Sequence, residues 1–183
     1  MSLACSRSLF FMVFVAGALA LGVSYYLEYA VGLLPCAMCL LQRICLASLT
    51  GCCLTASVHG PGRLGSFGYW LLGSLFSLAG TVTAWRQVLW QSEPQLHPGL
   101  CSPSLADMLA SNHWMQVVSL MFNGSADCAH VSWTLFDLSL PEWSLLFFVA
   151  MTALSVYQLV RLLRFAFQRP LSGESSHPTL ARD

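Results

Sequence analysis

The amino-acid sequence predicts an all-α membrane protein, a four-transmembrane-helix bundle with a long loop between helices 3 and 4. Three observations support this fold class. Hydrophobic residues make up 56% of the 183 positions and charged residues only 9%, whereas a soluble domain usually carries about 25% charged residues. Four separate stretches are apolar over about 20 residues, the length that a helix needs to cross a bilayer. The arginines cluster on one side of these stretches, as is typical of membrane proteins.

Each apolar stretch is predicted to be one spanning helix. The first has an alternative interpretation as a cleavable signal peptide, because Arg7 precedes it and Ala18-Leu19-Ala20 resembles a cleavage site. Its apolar residues continue to Leu27, beyond the usual length of a signal core, which favours an uncleaved helix. The four predicted spans run from about Leu9 to Leu27, Leu40 to Val58, Phe67 to Trp85 and Trp143 to Leu163.

The orientation of the bundle follows from its basic residues, all eight of which are arginine. Positively charged residues near span ends favour the cytoplasmic side, so both termini are predicted to be cytoplasmic. Segments 28–39 and 86–142 then face outward, residues 1–165 form one four-helix domain, and residues 166–183 form a cytoplasmic tail. The six arginines on the cytoplasmic side are Arg7, Arg63, Arg161, Arg164, Arg169 and Arg182, and the two toward the other side are Arg43 and Arg86.

This topology divides the eight cysteines into two groups. Four lie in the outward segments, where an oxidising compartment would permit disulfides: Cys36, Cys39, Cys101 and Cys128. Cys5 is predicted to be cytoplasmic. The other three lie within the second span and are predicted to pack as small apolar side chains: Cys45, Cys52 and Cys53.

The densest motif is the Cys-x-x-Cys pair at the start of the second span. Pro35 suits the first turn of a helix, and it directly precedes Cys36. Cys36 and Cys39 are three positions apart, so on a helical turn they share a face and come within disulfide reach. The N-terminus of a helix stabilises a thiolate through its unpaired N–H groups and its dipole. The motif therefore predicts a redox-active pair.

Two polar residues follow this pair within one helical turn. Arg43 lies four positions after Cys39, and an arginine near the bilayer is costly and usually functional. Its guanidinium could favour the Cys39 thiolate or pair with a polar head group or a carbonyl. Alternatively, Arg43 extends from a helix end to the membrane surface. Gln42 adds a second polar side chain beside it.

The second outward cysteine pair, Cys101 and Cys128, lies 27 positions apart in the long loop. A bridge between them would contribute roughly 3–4 kcal/mol in the chain-entropy model. The sequence leaves open whether such a bridge is a structural staple or a labile bond, although its turn-like flanks suit attack by a thiol of another protein. Zinc binding with His97 or His130 is disfavoured, because structural zinc sites usually draw on two closely spaced ligand pairs and only one pair here is close.

Taken together, these motifs resemble the disulfide bond formation protein B (DsbB) family. Their order and spacing and the four spans agree with that family over nearly the whole chain, to about residue 165. The matching motifs are Pro35-Cys36-Ala-Met-Cys39-Leu-Leu-Gln42-Arg43, Arg86-Gln87-x-x-x-Gln91, Cys101, Asp127-Cys128-Ala129 with Trp133, and Leu140-Pro141-Glu142-Trp143.

The resemblance implies a thiol:quinone oxidoreductase of the bacterial inner membrane whose long loop is periplasmic. Such an enzyme reoxidises a DsbA-type periplasmic thiol oxidase and passes the electrons to the membrane quinone pool and the respiratory chain. The route from DsbA through DsbB to quinone is known to keep the bacterial periplasm oxidising. The implied cofactor is a quinone, either ubiquinone or menaquinone, and the implied surroundings are the lipid bilayer.

The resemblance also implies a role for each matched residue. Cys101 would form the mixed disulfide with the partner, Cys128 would pass the electrons to Cys36, and Cys39 would contact the quinone. The implied disulfides are Cys36–Cys39 and Cys101–Cys128, with no metal. The side chains expected near the quinone are those of Arg43, Gln42 and Gln87.

Three other functions are compatible with parts of the sequence. Quinone reductases of the vitamin K epoxide type also combine a Cys-x-x-Cys with four helices, but they usually carry it late in the chain. A specialised member of the DsbB family could serve one dedicated partner. A scaffold or channel with a structural loop disulfide would not need an outward Cys-x-x-Cys followed by Gln42 and Arg43. Nucleic-acid binding is not expected, because the net charge is zero and there is no basic patch.

Overall fold

A computed structural model describes residues 2–32, 36–92, 115, 134–135 and 138–167 of the chain. Within these residues the architecture is a bundle of four long helices with a small two-stranded hairpin, and each helix is long and apolar enough to cross a membrane. The predicted all-α membrane bundle is confirmed. The elements are α1 (Ser2–Tyr29), α2 (Ala37–His59), α3 (Arg63–Ser92), β1 (Thr134–Leu135), β2 (Leu138–Ser139) and α4 (Leu140–Phe167).

The helix ends differ from the predicted span ends, most clearly in α3. The prediction ended the third span at Trp85, but α3 continues to Ser92 over a total of 30 residues. At 1.5 Å per residue it is about 45 Å long, which exceeds the roughly 30 Å of a bilayer core. The Arg86–Gln91 motif therefore belongs to a helix, rather than to the loop in which the prediction placed it.

Consecutive helices run antiparallel and pack side by side, α1 on α2, α2 on α3 and α3 on α4. The bundle consequently has two ends. We call one the cysteine end, where Tyr29, Cys36, Ser92 and Leu140 lie, and the other the arginine end, where Arg7, His59, Arg63 and Arg164 lie. The predicted sidedness of these ends in a membrane stays a prediction.

The inner face of α3 is a stripe of mostly small residues. Its buried positions recur at alternating intervals of four and three, the spacing of a left-handed helix packing seam, and small side chains let helices approach closely in membranes. At Gly80, an added Cβ would come inside contact distance of the Phe148 ring of α4. The stripe consists of Ser66, Trp70, Gly73, Ser77, Gly80, Ala84 and Gln87.

Apolar packing is concentrated toward the arginine end. There the Phe10 and Trp70 rings stack with their centroids 4.5 Å apart, in a geometry that aromatic pairs favour. A smaller cluster of Cys45, Leu46 and Phe148 lies closer to the cysteine end. The larger cluster, which we call the aromatic core, consists of Phe10, Val13, Leu49, Cys53, Ala56 and Trp70.

Local capping explains where α2 ends and α4 begins. Gly60 follows α2 with φ of 59° and donates its N–H to the Ala56 carbonyl, a left-handed helix end that favours glycine. Ser139 precedes α4, and the Glu142 carboxylate accepts from its N–H at 2.6 Å. The Ser139 hydroxyl donates to the same carboxylate at 2.9 Å, so Glu142 supplies the acceptor half of a Ser-x-x-Glu capping sequence. The Leu140-Pro141-Glu142 motif therefore has a structural role in starting α4.

Candidate redox site

Cys36 is the N-cap of α2, with extended backbone angles of −75° and 169°. Its Sγ accepts a hydrogen bond from the Cys39 backbone N–H at 3.4 Å. A sulfur at this position satisfies one of the unpaired donors of the first turn and lies at the positive end of the helix dipole. The helix α2 begins at Ala37, and Pro35, which the sequence predicted in the first turn, lies outside the described residues.

The two sulfurs of the Cys-x-x-Cys pair lie in contact. Cys36 Sγ and Cys39 Sγ are 3.0 Å apart, and both side chains are partly buried. A disulfide needs a separation of about 2.05 Å, so only a small side-chain movement separates this arrangement from a bridge. The Cys36–Cys39 disulfide stays a prediction that the geometry permits.

Gln87, on α3, contacts both sulfurs through its side-chain amide. Its Nε2 lies 3.2 Å from Cys39 Sγ and 3.5 Å from Cys36 Sγ. Gln87 is the last member of the buried α3 stripe, so the packing of that helix delivers the amide to the cysteine pair. The sequence predicted Gln87 near the site only through the family resemblance, although the 4-3 spacing of the stripe also indicates it.

Gln42 joins Gln87 to the fourth helix. Gln42 Nε2 donates to Gln87 Oε1 at 2.8 Å, and the Ser144 hydroxyl of α4 donates to Gln42 Oε1 at 2.8 Å. These hydrogen bonds connect three helices at the cysteine end. Ser144 was not predicted, because a serine one position after Trp143 gives no signal until the facing helix is known.

Arg43 points toward α1. Its Nε donates to Ser24 Oγ at 2.6 Å, another guanidinium nitrogen donates to the Ser24 carbonyl at 3.1 Å, and it forms an ion pair with Glu28. The guanidinium carbon also lies 5.2 Å from the centroid of the Tyr25 ring, within the range of a cation–π contact. Of the partners that the sequence suggested for Arg43, a carbonyl is present in the structure, and it belongs to Ser24.

Ser24, Tyr25 and Glu28 were not anticipated as part of the site. Ser24 and Glu28 are four positions apart and therefore lie on one face of α1. This ion pair could have been predicted from the sequence, because an acidic residue ends the first span and a basic residue lies near the start of the second. Arg43 is only 14% exposed and Glu28 23% exposed, so the ion pair is largely withdrawn from solvent.

The second cysteine pair, Cys101 and Cys128, lies outside the described residues, so its predicted bridge stays a prediction. Gln91, which belongs to the same motif as Gln87, binds the start of α4: its Oε1 accepts from the Ser139 hydroxyl at 3.1 Å. The end of α3 is thereby tied to the residue that caps α4.

Comparison with known proteins gives a consistent result. A family model described as "Disulfide bond formation protein DsbB" matches residues 6–158. Disulfide bond formation protein B 2 of Pseudomonas fluorescens strain Pf0-1 is 60% identical over 183 residues, which is the full length of both chains. Disulfide bond formation protein B 1 of Pseudomonas aeruginosa strain PAO1 is 44% identical over 161 residues, covering 88% of this chain and 99% of that protein. Disulfide bond formation protein B of Stutzerimonas stutzeri strain A1501 is 41% identical with the same coverage.

Proposed function

Because the chain belongs to the DsbB family of disulfide bond formation proteins, we propose that this multi-pass membrane disulfide oxidoreductase is quinone-dependent and reoxidises a DsbA-type partner. The observation that carries the proposal is the cysteine pair at the start of α2, with sulfurs 3.0 Å apart and hydrogen-bond donors from a neighbouring helix. In the proposed reaction, the loop pair of Cys101 and Cys128 reaches the soluble partner, and the pair of Cys36 and Cys39 reaches an oxidant dissolved in lipid.

The proposed reaction begins in the long loop. A thiolate of the reduced partner attacks the Cys101–Cys128 disulfide at Cys101, and the partner's second thiol then displaces Cys101 from the mixed disulfide. The partner leaves oxidised, and Cys101 and Cys128 hold two electrons and two protons as thiols. The Cys128 thiolate next attacks Cys36 and releases Cys39, and the Cys101 thiol then displaces Cys36 from this mixed disulfide, which restores the loop bridge and leaves Cys36 and Cys39 as thiols.

The residues around Cys39 suit a bound quinone. A quinone takes up the two electrons and two protons of the thiols and leaves as quinol. Its carbonyl oxygens accept hydrogen bonds, and the guanidinium of Arg43 and the amide groups of Gln42 and Gln87 are donors of the matching kind. These side chains would orient the ring, while Cys39 reacts as a thiolate and the two cysteines together give up two electrons and two protons as the Cys36–Cys39 bridge re-forms.

We place the cysteine end in the periplasm and both termini in the cytoplasm of a bacterial inner membrane. The support is the arginine distribution, with Arg7 and Arg63 at the opposite end of the bundle from Cys36. We further propose that residues 1–165 form a single membrane domain and that residues 166–183 form a cytoplasmic tail.

The test is oxidation of a reduced DsbA-type protein by the purified full-length chain with ubiquinone or menaquinone. We expect two partner thiols to be lost for each quinone that is bleached. Cys39→Ser and Cys101→Ser should reduce both signals to the uncatalysed background, because each variant removes a sulfur that must form a bridge. Cys52→Ala, at a buried position in the middle of α2, is the matched control and should retain turnover.

Full turnover by Cys39→Ser or Cys101→Ser would overturn the assignment of residues. Absence of quinone bleaching by the unmodified protein would overturn the proposed reaction and would favour a non-catalytic membrane protein with a structural disulfide.

A further inference from the structure

A chain of three polar side chains leads from α4 through α2 to the cysteine sulfurs. Ser144 is bonded to Gln42 and Gln42 to Gln87, and Gln87 contacts both Cys36 and Cys39. The two glutamines are 7% and 3% exposed. Burying amides in an apolar bundle costs free energy unless each is hydrogen-bonded, and this series of hydrogen bonds supplies the partners of both glutamines.

The NH₂ group of Gln87 is the part of its amide that lies nearest to the Cys39 sulfur. Gln42 directs its NH₂ group at Gln87 Oε1, and Gln87 Nε2 lies 3.2 Å from Cys39 Sγ, whereas Gln87 Oε1 lies 3.7 Å from it and accepts from the thiol. Reversing both amides would place the oxygen at the shorter distance and would oppose a negative charge on the sulfur. An oriented donor in surroundings of low dielectric stabilises an anion more strongly than the same donor does in water.

The two sulfurs have different stabilising groups. The Cys36 sulfur accepts the backbone N–H of the first helical turn. The shorter contact of the Gln87 amide is with Cys39, at 3.2 Å against 3.5 Å for Cys36. The helix terminus therefore supports a charge on Cys36, whereas a side chain from α3 supports one on Cys39.

From this geometry we propose that Gln87 is a catalytic residue whose amide stabilises the Cys39 thiolate, and that Gln42 and Ser144 are positioning residues that hold this amide with its donors toward the sulfur. The inference rests on the proposed function, in which Cys39 reacts as a thiolate. It gives Gln87 a role toward the sulfur that is separate from any contact with a quinone.

The charged side chains nearest in the fold have other positions. Arg43 of α2 is bound to Ser24 and Glu28 of α1. Arg86 of α3 is exposed. Glu142 of α4 accepts the hydrogen bonds of Ser139. The Gln87 amide is thus a neutral group in direct contact with the sulfur, whereas the three charged side chains bind other residues or are exposed.

The test is the pH dependence of alkylation at Cys39 in the reduced full-length protein, in detergent, with iodoacetamide and without partner or quinone. Mass spectrometry of the digested protein reports the rate at Cys39 and at Cys36 separately. Gln87→Glu retains an oxygen acceptor for Gln42 and, once ionised, has no donor for the sulfur. We expect the midpoint of the Cys39 profile to rise by about one to two pH units, because the variant loses a hydrogen bond to a charged group and adds a like charge beside it. Gln87→Met, which removes the donor without adding a charge, should shift the midpoint in the same direction.

Two further variants separate this role from simple packing. Ser144→Ala should move the Cys39 midpoint in the same direction by a smaller amount, because it loosens Gln42 without removing the amide. Thr83→Val lies one turn from Gln87 on α3, where the Thr83 hydroxyl donates to the Ala79 and Gly80 carbonyls of its own helix. It should leave both profiles unchanged.

An unchanged Cys39 midpoint in Gln87→Glu, with native helical circular dichroism, would overturn the proposal. If that variant did not fold, Gln87→Met and Ser144→Ala would decide in the same assay, and unchanged midpoints in both would have the same meaning. Because the assay contains no quinone, a protein that shifts as expected yet cannot bleach quinone would overturn only the proposed reaction.

Discussion

The sequence left two roles open for Arg43: a functional contact near the cysteine pair, or extension from a helix end to the membrane surface. A charge close to the bilayer is expensive and needs partners. The guanidinium meets this need on α1, through both polar atoms of Ser24 and the carboxylate of Glu28. Of the five N–H donors in the plane of the guanidinium, three are used by Ser24 and Glu28, and the other two are of the kind that suits a carbonyl oxygen.

Replacing this side chain should affect quinone binding more than folding. For Arg43→Ala we expect the apparent KM for quinone to rise roughly tenfold, the result of losing about 1.4 kcal/mol of binding free energy. Steady-state oxidation of the partner at varied quinone concentration measures this value. Ile44→Ala, at the adjacent and more exposed position, should leave KM close to that of the parent protein.

An unchanged KM in Arg43→Ala would show that the guanidinium only ties α2 to α1. In that case Glu28→Gln and Arg43→Ala should both lower the thermal midpoint without changing the kinetics.

The sequence predicted those site residues whose role follows from their spacing within one helix. Cys36 and Cys39 were identified because three positions bring two side chains to one face. Ser144 and Glu28 could not be identified in the same way, because each acts only through a residue of another helix, and the pairing of faces is decided by packing along the whole bundle.

Among the helices, α3 shows most directly how packing positions the site. Its stripe of small residues brings α3 against α4, with Gly80 beneath the Phe148 ring, and the same stripe ends at Gln87. A change at Gly80 would therefore disturb the approach of two helices about two turns away from the sulfurs.

Gly80→Ala should destabilise the bundle. An added Cβ would lie 2.6 Å from Phe148 Cζ, and overpacking of this kind costs about 1–3 kcal/mol. Gly68→Ala is the matched control, because nothing lies within 4 Å of a Cβ at that position on the same helix. Thermal unfolding in detergent, followed by circular dichroism, should give a lower midpoint for Gly80→Ala only.

The control should be neutral or slightly stabilising, since alanine favours a helix over glycine by about 1 kcal/mol. Equal midpoints for the two variants would mean that Phe148 moves aside without cost and that the α3–α4 contact is not tightly packed at Gly80.

Hydropathy predicted the existence of all four helices but not their ends. Apolar length identifies the part of a helix that lipid surrounds, and α3 continues to Ser92 through a mixed segment in which the polar residues Gln87 and Gln91 bind other helices or the residue that caps α4. The β1–β2 hairpin, with Thr134 paired to Ser139, was also not predicted, because two-residue strands leave no periodic pattern.

For the whole molecule, the main prediction concerns sidedness. In spheroplasts treated with a reductant, a membrane-impermeant maleimide should label a variant that retains only Cys39. It should label a variant that retains only Cys5 after the membrane is permeabilised. The physical reason is the excess of arginine at the arginine end, which favours the cytoplasm.

Gel-shift detection of the labelled protein measures both variants, with unlabelled spheroplasts as the reference. Labelling of Cys5 in intact spheroplasts, together with protection of Cys39, would reverse the topology and separate the cysteine pair from any periplasmic partner.

The two ends of the bundle also differ in the kind of contact that joins the helices. The aromatic core closes the arginine end with stacked rings such as Phe10 and Trp70, whose separation would leave a void. The cysteine end is joined by hydrogen bonds and an ion pair, among them those of Gln42 and Arg43. Separation of the helices there would leave buried donors and acceptors unpaired, so the two ends oppose opening for different reasons: lost packing volume at one, and lost polar partners at the other.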